Sequence, residues 1–171
     1  MATPHGCAES VSGRTAPQEQ LQLNYLGSVS HKEAFDAPAS AVWRLLIDWA
    51  AIVDWMPGGF IAGLRMEGQG VGAIRHLVTG DGVHLSERLD AADAEAGVLE
   101  LSLVGQLPWG LLSYRARGEL VGSSPDSCEL TWRGTFETPE SGAQSDRVAR
   151  LLKKSYANMF LGIRRATVRR A

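Results

Sequence analysis

LLSYRARGELVGSSPDSCELTWRGTFE, residues 111–137, alternates with a period of two on either side of a polar turn. Leu112, Tyr114, Ala116, Gly118 and Leu120 share one face of the first half, with Arg115, Arg117 and Glu119 on the other. Cys128, Leu130, Trp132, Gly134 and Phe136 repeat the pattern against Glu129, Thr131, Arg133 and Thr135. Such alternation marks half-buried strands, and SSPDS between them supplies the residues of a tight antiparallel connection.

Upstream, the same period predicts strands over Ile61–Glu67, Gly72–Thr79, Val83–Asp90 and Val98–Val104, joined by GQGV, GDG, AADAEAG and GQLPWG. Links this short favour an antiparallel meander over crossover helices. An earlier strand, Ser28–Phe35, has an alternation that leaves its inner face, and so the direction of His31, open. Between it and the meander, DAPASAVWRLLIDW carries Asp36 and Pro38 at a helix start and Val42, Trp43, Leu46 and Ile47 at helical spacing. A second short helix runs into Pro57, Gly58 and Gly59, which end it.

Downstream, Ser145 to about Arg170 lacks proline and places Val148, Leu151, Leu152, Ser155, Tyr156, Met159, Phe160 and Ile163 on one helical face. A sheet with one apolar face needs a cover, and this is the only apolar stripe long enough to supply it. The predicted class is α+β: a curved antiparallel sheet of about seven strands around a long C-terminal helix, with two short helices after the first strand. Residues 24–171 form this domain. Residues 1–23, rich in Ala, Ser, Gly, Pro, Thr and Gln and poor in large apolar side chains, read as a flexible tail.

A chain of 171 residues suits one domain with a core and room for a cavity. Seventeen basic against nineteen acidic residues give a net charge of −2, so no global attraction draws it to nucleic acid. No run approaches a membrane span or an export signal. Cys7 and Cys128 stand in unrelated contexts with no Cys/His pairing at zinc spacing, which argues against a metal and for a reducing, cytoplasmic setting. No dinucleotide fingerprint or nucleophile elbow accompanies GQGVG, Ser86 or Ser113, so no cofactor is expected.

Two features of the inner face bear on function. Glu87 sits among Val83, Leu85 and Leu89, where an unpaired carboxylate costs several kcal/mol or titrates high, so something must compensate it. Ala116, Gly118 and Gly134 leave gaps among Leu, Trp, Tyr and Phe, which would let a sheet under a helix enclose space.

DAPASAVWRLLIDW with WMP after it, GVGAIRHL, TGDGVHLSERLDAAD, LLSYRARGEL and LTWRGTFETP occur in this order before the long helix. Together they resemble the polyketide cyclase/dehydrase and lipid-transport family of the START-like superfamily, over roughly residues 28–166. The resemblance implies the helix-grip fold, shared with the plant abscisic-acid receptors, and an internal cavity for apolar or amphipathic molecules. It puts the family's ErL carboxylate on Glu87, the basic residue of GxxR on Arg75, facing inward with Leu77, and the aromatic hydroxyl of the NY motif on Tyr114. TGDG around Gly80–Gly82 and GQLPW around Gln106–Trp109 fall at the entrance loops, with Trp109 as a lid. The receptors' ligand-carboxylate lysine is Gly58 here, their gate is TGDG, and a buried polar position is Trp132, so abscisic acid does not fit.

The expected ligand contacts are therefore Arg75, Glu87 and Tyr114, with walls from Leu77, Leu85, Leu101, Leu112, Trp132, Phe136, Met159, Phe160 and Ile163. Glu87 and Tyr114 are also the candidate catalytic residues if the chain is a cyclase, aromatase or dehydratase of polyketide-like substrates. The plainer role of Glu87 is an ion pair with Arg75 across adjacent strands, and that of Tyr114 is core packing. His76 and His84 fall on the outer face. A third reading uses Arg147, Arg150, Lys153, Lys154, Arg164, Arg165, Arg169 and Arg170 as a basic stripe for an acidic partner or membrane surface, against the plainer one of a solvated helix face.

Overall fold

The structure, a computed structural model, describes residues 24–168; the expected 1–23 tail, Cys7, Arg169 and Arg170 lie outside the described residues. In chain order the elements are β1 (Tyr25–Phe35), α1 (Ala39–Ile47), α2 (Ile52–Trp55), β2 (Ile61–Glu67), β3 (Ile74–Thr79), β4 (His84–Asp93), β5 (Val98–Leu103), a 3-10 turn (Pro108–Gly110), β6 (Ser113–Ser124), β7 (Ser127–Thr138) and α3 (Ala143–Val168). The seven strands form one sheet in the order β1-β7-β6-β5-β4-β3-β2, and every neighbouring pair is antiparallel. The expected meander runs from β2 to β7, and β1 pairs with β7. The connection through α1 and α2 therefore carries the chain from one edge of the sheet to the other.

Helix α1 begins at Ala39 rather than at Asp36. Pro38 is its N-cap, and the Pro38 carbonyl accepts the amides of Ala41 and Val42; a proline disfavours helical geometry in the residue before it, here Ala37. Strand β1 starts at Tyr25, and its inner face is Gly27, Val29, His31, Glu33 and Phe35. His31 thus points toward α3, with its ring 4.4 Å from that of Phe160, while Phe35 stacks on the same ring at 5.7 Å.

Helix α3 lays two rows on the sheet. Val148, Leu152, Tyr156, Phe160 and Ile163 are buried in the core. Leu151, Ser155 and Met159, four residues apart and one step round the helix, face a cavity. Gly162 lets α2 approach, since a Cβ there would lie 2.5 Å from the Trp55 carbonyl oxygen. Val42, Leu99, Leu130, Phe136, Val148, Phe160 and Ile163, among the most deeply buried side chains, form the core between sheet and helices.

Two expectations about the inner face are corrected. Leu112 is not inward: it is 45% exposed, whereas Leu111 is 5% exposed. The 3-10 turn, with Trp109 at φ 60 and Gly110 at φ 74, delivers Leu111 to the core, and the pleat of β6 begins only at Ser113. Nor do Gly118 and Gly134 leave empty space. The ring of Trp132 occupies the space over Gly118, and the hydroxyl of Tyr156 lies where a Cβ of Gly134 would be, 1.9 Å away.

Candidate functional site

Beside these filled notches, between β3, β4, β5 and the second row of α3, the fold leaves space. It is a cavity of about 330 Å³ whose deep walls include Leu77, Leu85, Leu101, Leu103, Trp132 and Met159. Its opening is framed by the exposed Gly59, Gly80, Asp81 and Lys154, with the half-buried Phe60 beside Gly59. Trp109 lines the cavity from the 3-10 turn at a left-handed backbone angle that few non-glycine residues adopt. The Thr79 hydroxyl bonds the Asp81 carboxylate and holds its pKa below the usual range, with Lys154 adding a smaller effect in the same direction.

Among the polar side chains that face this space, four form two pairs. Arg75 and Glu87 are opposite each other on β3 and β4, and Arg75 Nε donates to Glu87 Oε2 at 2.6 Å. The other side of the guanidinium lies over the Trp49 ring, 3.7 Å from its centroid, and Nη1 donates to the Trp49 carbonyl at 3.4 Å. The charge that alternation made conspicuous at residue 87 is therefore compensated by a charge-assisted hydrogen bond, and the buried arginine is sandwiched. Tyr114 on β6 and Tyr156 on α3 share a hydrogen bond of 2.8 Å between their hydroxyls. Burial above all pushes both phenols above their ordinary pKa; Tyr156 adds to the shift of Tyr114, the bond to Tyr114 partly offsets that of Tyr156, and the Glu87 charge raises both by less, so each stays neutral and protonated at physiological pH.

Of the residues singled out in the sequence, Arg75, Leu77, Leu85, Glu87, Leu101, Trp109, Tyr114, Trp132 and Met159 line the cavity. Phe136, Phe160 and Ile163 do not. Phe136 packs against Gly27, where a Cβ would meet its ring at 2.3 Å, and Phe160 is engaged by Phe35 and His31. These three are buried in the core, and Leu112 lies outside on the surface. Tyr156 and Lys154 were missed as site residues: the first read as one more core aromatic, the second as one more solvated cation. The available signal for Tyr156 was its hydroxyl, which on a buried face demands a partner.

His76 is on the outer face, as expected, with Nδ1 at 2.8 Å from Ser86 Oγ and Nε2 at 3.1 Å from Glu67; His84 is exposed. Among the described residues no three His, Cys, Asp or Glu side chains gather to hold a metal ion, and no helix is long and apolar enough to cross a membrane. The basic residues of α3 do not act as one stripe. Arg164 pairs with Glu33 on β1, Lys154 stands at the cavity mouth, and Arg147, Arg150, Lys153 and Arg165 are exposed.

The fold recurs widely among solved structures. Norcoclaurine synthase from Thalictrum flavum, a point mutant in complex with a transition-state analogue, superposes with a TM-score of 0.72 at 18% identity over 86% of this chain and 98% of its own. An aromatase/cyclase from a Streptomyces species gives 0.69 at 19% identity over 86% and 97%, and the protein XoxI from Bacillus cereus 0.69 at 20% identity over 82% and 95%. At such identities the likeness is one of fold. No curated protein sequence matches the chain. Residues 27–167, which hold every strand but the first two residues of β1, both pairs of polar cavity residues and all but the end of α3, match as one unit, and the chain belongs to the polyketide cyclase/dehydrase and lipid transport family.

Proposed function

We propose that the chain binds a small hydrophobic or amphipathic molecule in the cavity between its sheet and α3, as a carrier or sensor. The observation that carries this reading is the composition of the cavity: largely apolar walls, with a few polar groups gathered in an Arg75–Glu87 pair and a hydrogen-bonded Tyr114–Tyr156 pair. Apolar walls supply affinity by desolvation, and a few placed polar groups orient the guest. Arg75 and Glu87 together bring no net charge, and the phenols are neutral, which favours an uncharged guest inside. Trp109 and the turn at Gly80–Asp81 then serve as the rim through which it passes.

The enzyme reading, a cyclase, aromatase or dehydratase acting in the same cavity, draws on the family and on the aromatase/cyclase and synthase among its structural neighbours. The raised phenol pKa values weigh against the two tyrosines as its proton-transfer groups, because such a catalyst works best with a pKa near the working pH. Hydrogen bonding to a substrate oxygen fits these phenols better than moving its proton. A partner or membrane-surface role through α3 has less support, since Arg164 is paired with Glu33 and Lys154 stands beside the cavity opening.

Native mass spectrometry of freshly purified protein, beside its denatured mass, tests the binding reading. A small apolar mass that travels with the folded chain and leaves on unfolding is the expected result. A folded protein that carries none, and takes up none from a panel of apolar compounds, overturns it.

A further inference from the structure

The hydroxyls of Tyr114 and Tyr156 hold two protons between them and share one hydrogen bond. One proton lies in the O···O contact of 2.8 Å. The other has no protein acceptor among the described residues, and both side chains line the cavity. Glu87 is near enough for its charge to act on both phenols, yet no hydrogen bond joins it to either, and its Oε2 accepts from Arg75. The pair thus presents a single O–H to the cavity, strengthened because its oxygen already accepts from, or its partner already donates to, a second phenol.

The site is built for this pair. Tyr156 reaches the sheet only because residue 134 is glycine: a Cβ there would lie 1.9 Å from Tyr156 Oη and 3.0 Å from the Tyr114 ring. Gly134 is paired with Ala116 on β6, two residues from Tyr114 on the same inner face. A glycine in the interior of a strand costs packing and backbone entropy, so a notch filled by a hydroxyl calls for a reason beyond filling space.

We propose that Tyr114 and Tyr156, seated by Gly134, act as a one-proton donor that selects guests carrying a neutral acceptor oxygen, a ketone or similar carbonyl, at their buried end. An anionic oxygen would accept the bond but would be desolvated in a cavity whose Arg75–Glu87 pair offers it no net charge. A hydrocarbon would leave the second proton buried without an acceptor, which is the costly outcome for a polar group. A hydroxyl guest is intermediate, since it can accept but must then place its own proton. This rests on the binding reading above and adds the chemistry of the guest's inner end; Tyr114 and Tyr156 are contact residues, Gly134 a positioning residue.

The test uses a matched pair of rigid tricyclic probes, 9-fluorenone and fluorene, which differ at one carbon. Fluorene is the more apolar, so the walls alone favour it, and preference for the ketone must come from a donor. Equilibrium dialysis against the full chain should show fluorenone bound about tenfold more tightly than fluorene, the size expected of one well-placed hydrogen bond. The carbonyl stretch of bound fluorenone should move to lower wavenumber. Tyr114→Phe/Tyr156→Phe should bring the ratio to one or below, with fluorene binding more tightly because it no longer buries a phenol proton without an acceptor. Gly134→Ala, which displaces the Tyr156 hydroxyl without removing it, should behave like Tyr156→Phe and reduce the ratio severalfold. If the double variant does not fold, the two single tyrosine variants and Gly134→Ala carry the same comparison.

If the wild-type chain binds both probes equally, the donor proposal is overturned while the cavity reading stands. It is overturned too if the ketone preference survives in the double variant, which would move the donor to another residue such as Arg75. Should neither probe bind, both proposals fall.

Discussion

The ring of Trp132 on β7 fills the space over Gly118, its cross-strand partner on β6: a Cβ at residue 118 would lie 2.5 Å from Trp132 Cζ3. Trp132 is 4% exposed and walls the cavity on its other side, so the cavity is the direction in which it can yield. Gly118→Ala should therefore cost about 1–3 kcal/mol, the usual range for overpacking, and shrink the cavity. Urea unfolding reads the first effect and fluorene titration the second. Unchanged stability together with unchanged fluorene affinity would show that the ring does not press on residue 118.

Arg75 and Glu87 form a pair whose side chains are 8% and 18% exposed. Removing one partner leaves the other charge unpaired against an apolar wall. Arg75→Leu or Glu87→Leu alone should cost about 3 kcal/mol, while the double variant should be more stable than the sum of the singles predicts. A double-mutant cycle by urea unfolding measures the coupling, and additive effects would show that the bond contributes nothing to stability.

Much of this was legible in the sequence, because strand faces and a long helix stripe are written in periods of two and 3.6. Alternation placed Tyr114, Trp132, Leu85 and Glu87 on the inner face, and family resemblance added Arg75. What alternation does not encode is which inward residue meets another and which meets space. Gly118 and Gly134 read as gaps, although gaps are filled by side chains distant in sequence, Trp132 across the strand pair and Tyr156 from α3. Met159, facing the cavity, and Phe160, facing the core, are adjacent on one helical stripe, and their roles diverge by a single step around the helix. Leu112 was misassigned because a left-handed residue in the preceding turn reset the pleat.

That misassignment yields a sharp contrast between neighbours. Leu111, 5% exposed, should cost about 2–5 kcal/mol on truncation to Ala, as buried leucines do. Leu112, 45% exposed, should stay within about 0.5 kcal/mol of wild type on the same change. Thermal or urea unfolding of the two variants decides it. Equal losses would mean that both leucines are buried and that the turn at Trp109 does not have the described backbone.

The phenol pair sets an alkaline limit to stability. Tyr114 and Tyr156 are two of the chain's three tyrosines, and in the folded state both ionise above the ordinary phenol range, chiefly because of burial. In the unfolded chain they ionise near pH 10. The folded state therefore retains protons that the unfolded state gives up, so their contribution to stability is complete below about pH 10 and declines as the pH rises beyond it. Absorbance near 295 nm at pH 11 should show at most one phenolate equivalent in the folded protein, and the remainder should appear only when urea unfolds it. Tyr114→Phe/Tyr156→Phe should flatten the loss of stability above pH 10. Full ionisation of all three phenols without unfolding would mean that the two hydroxyls are open to water, and the buried donor inferred from their contact would go with them.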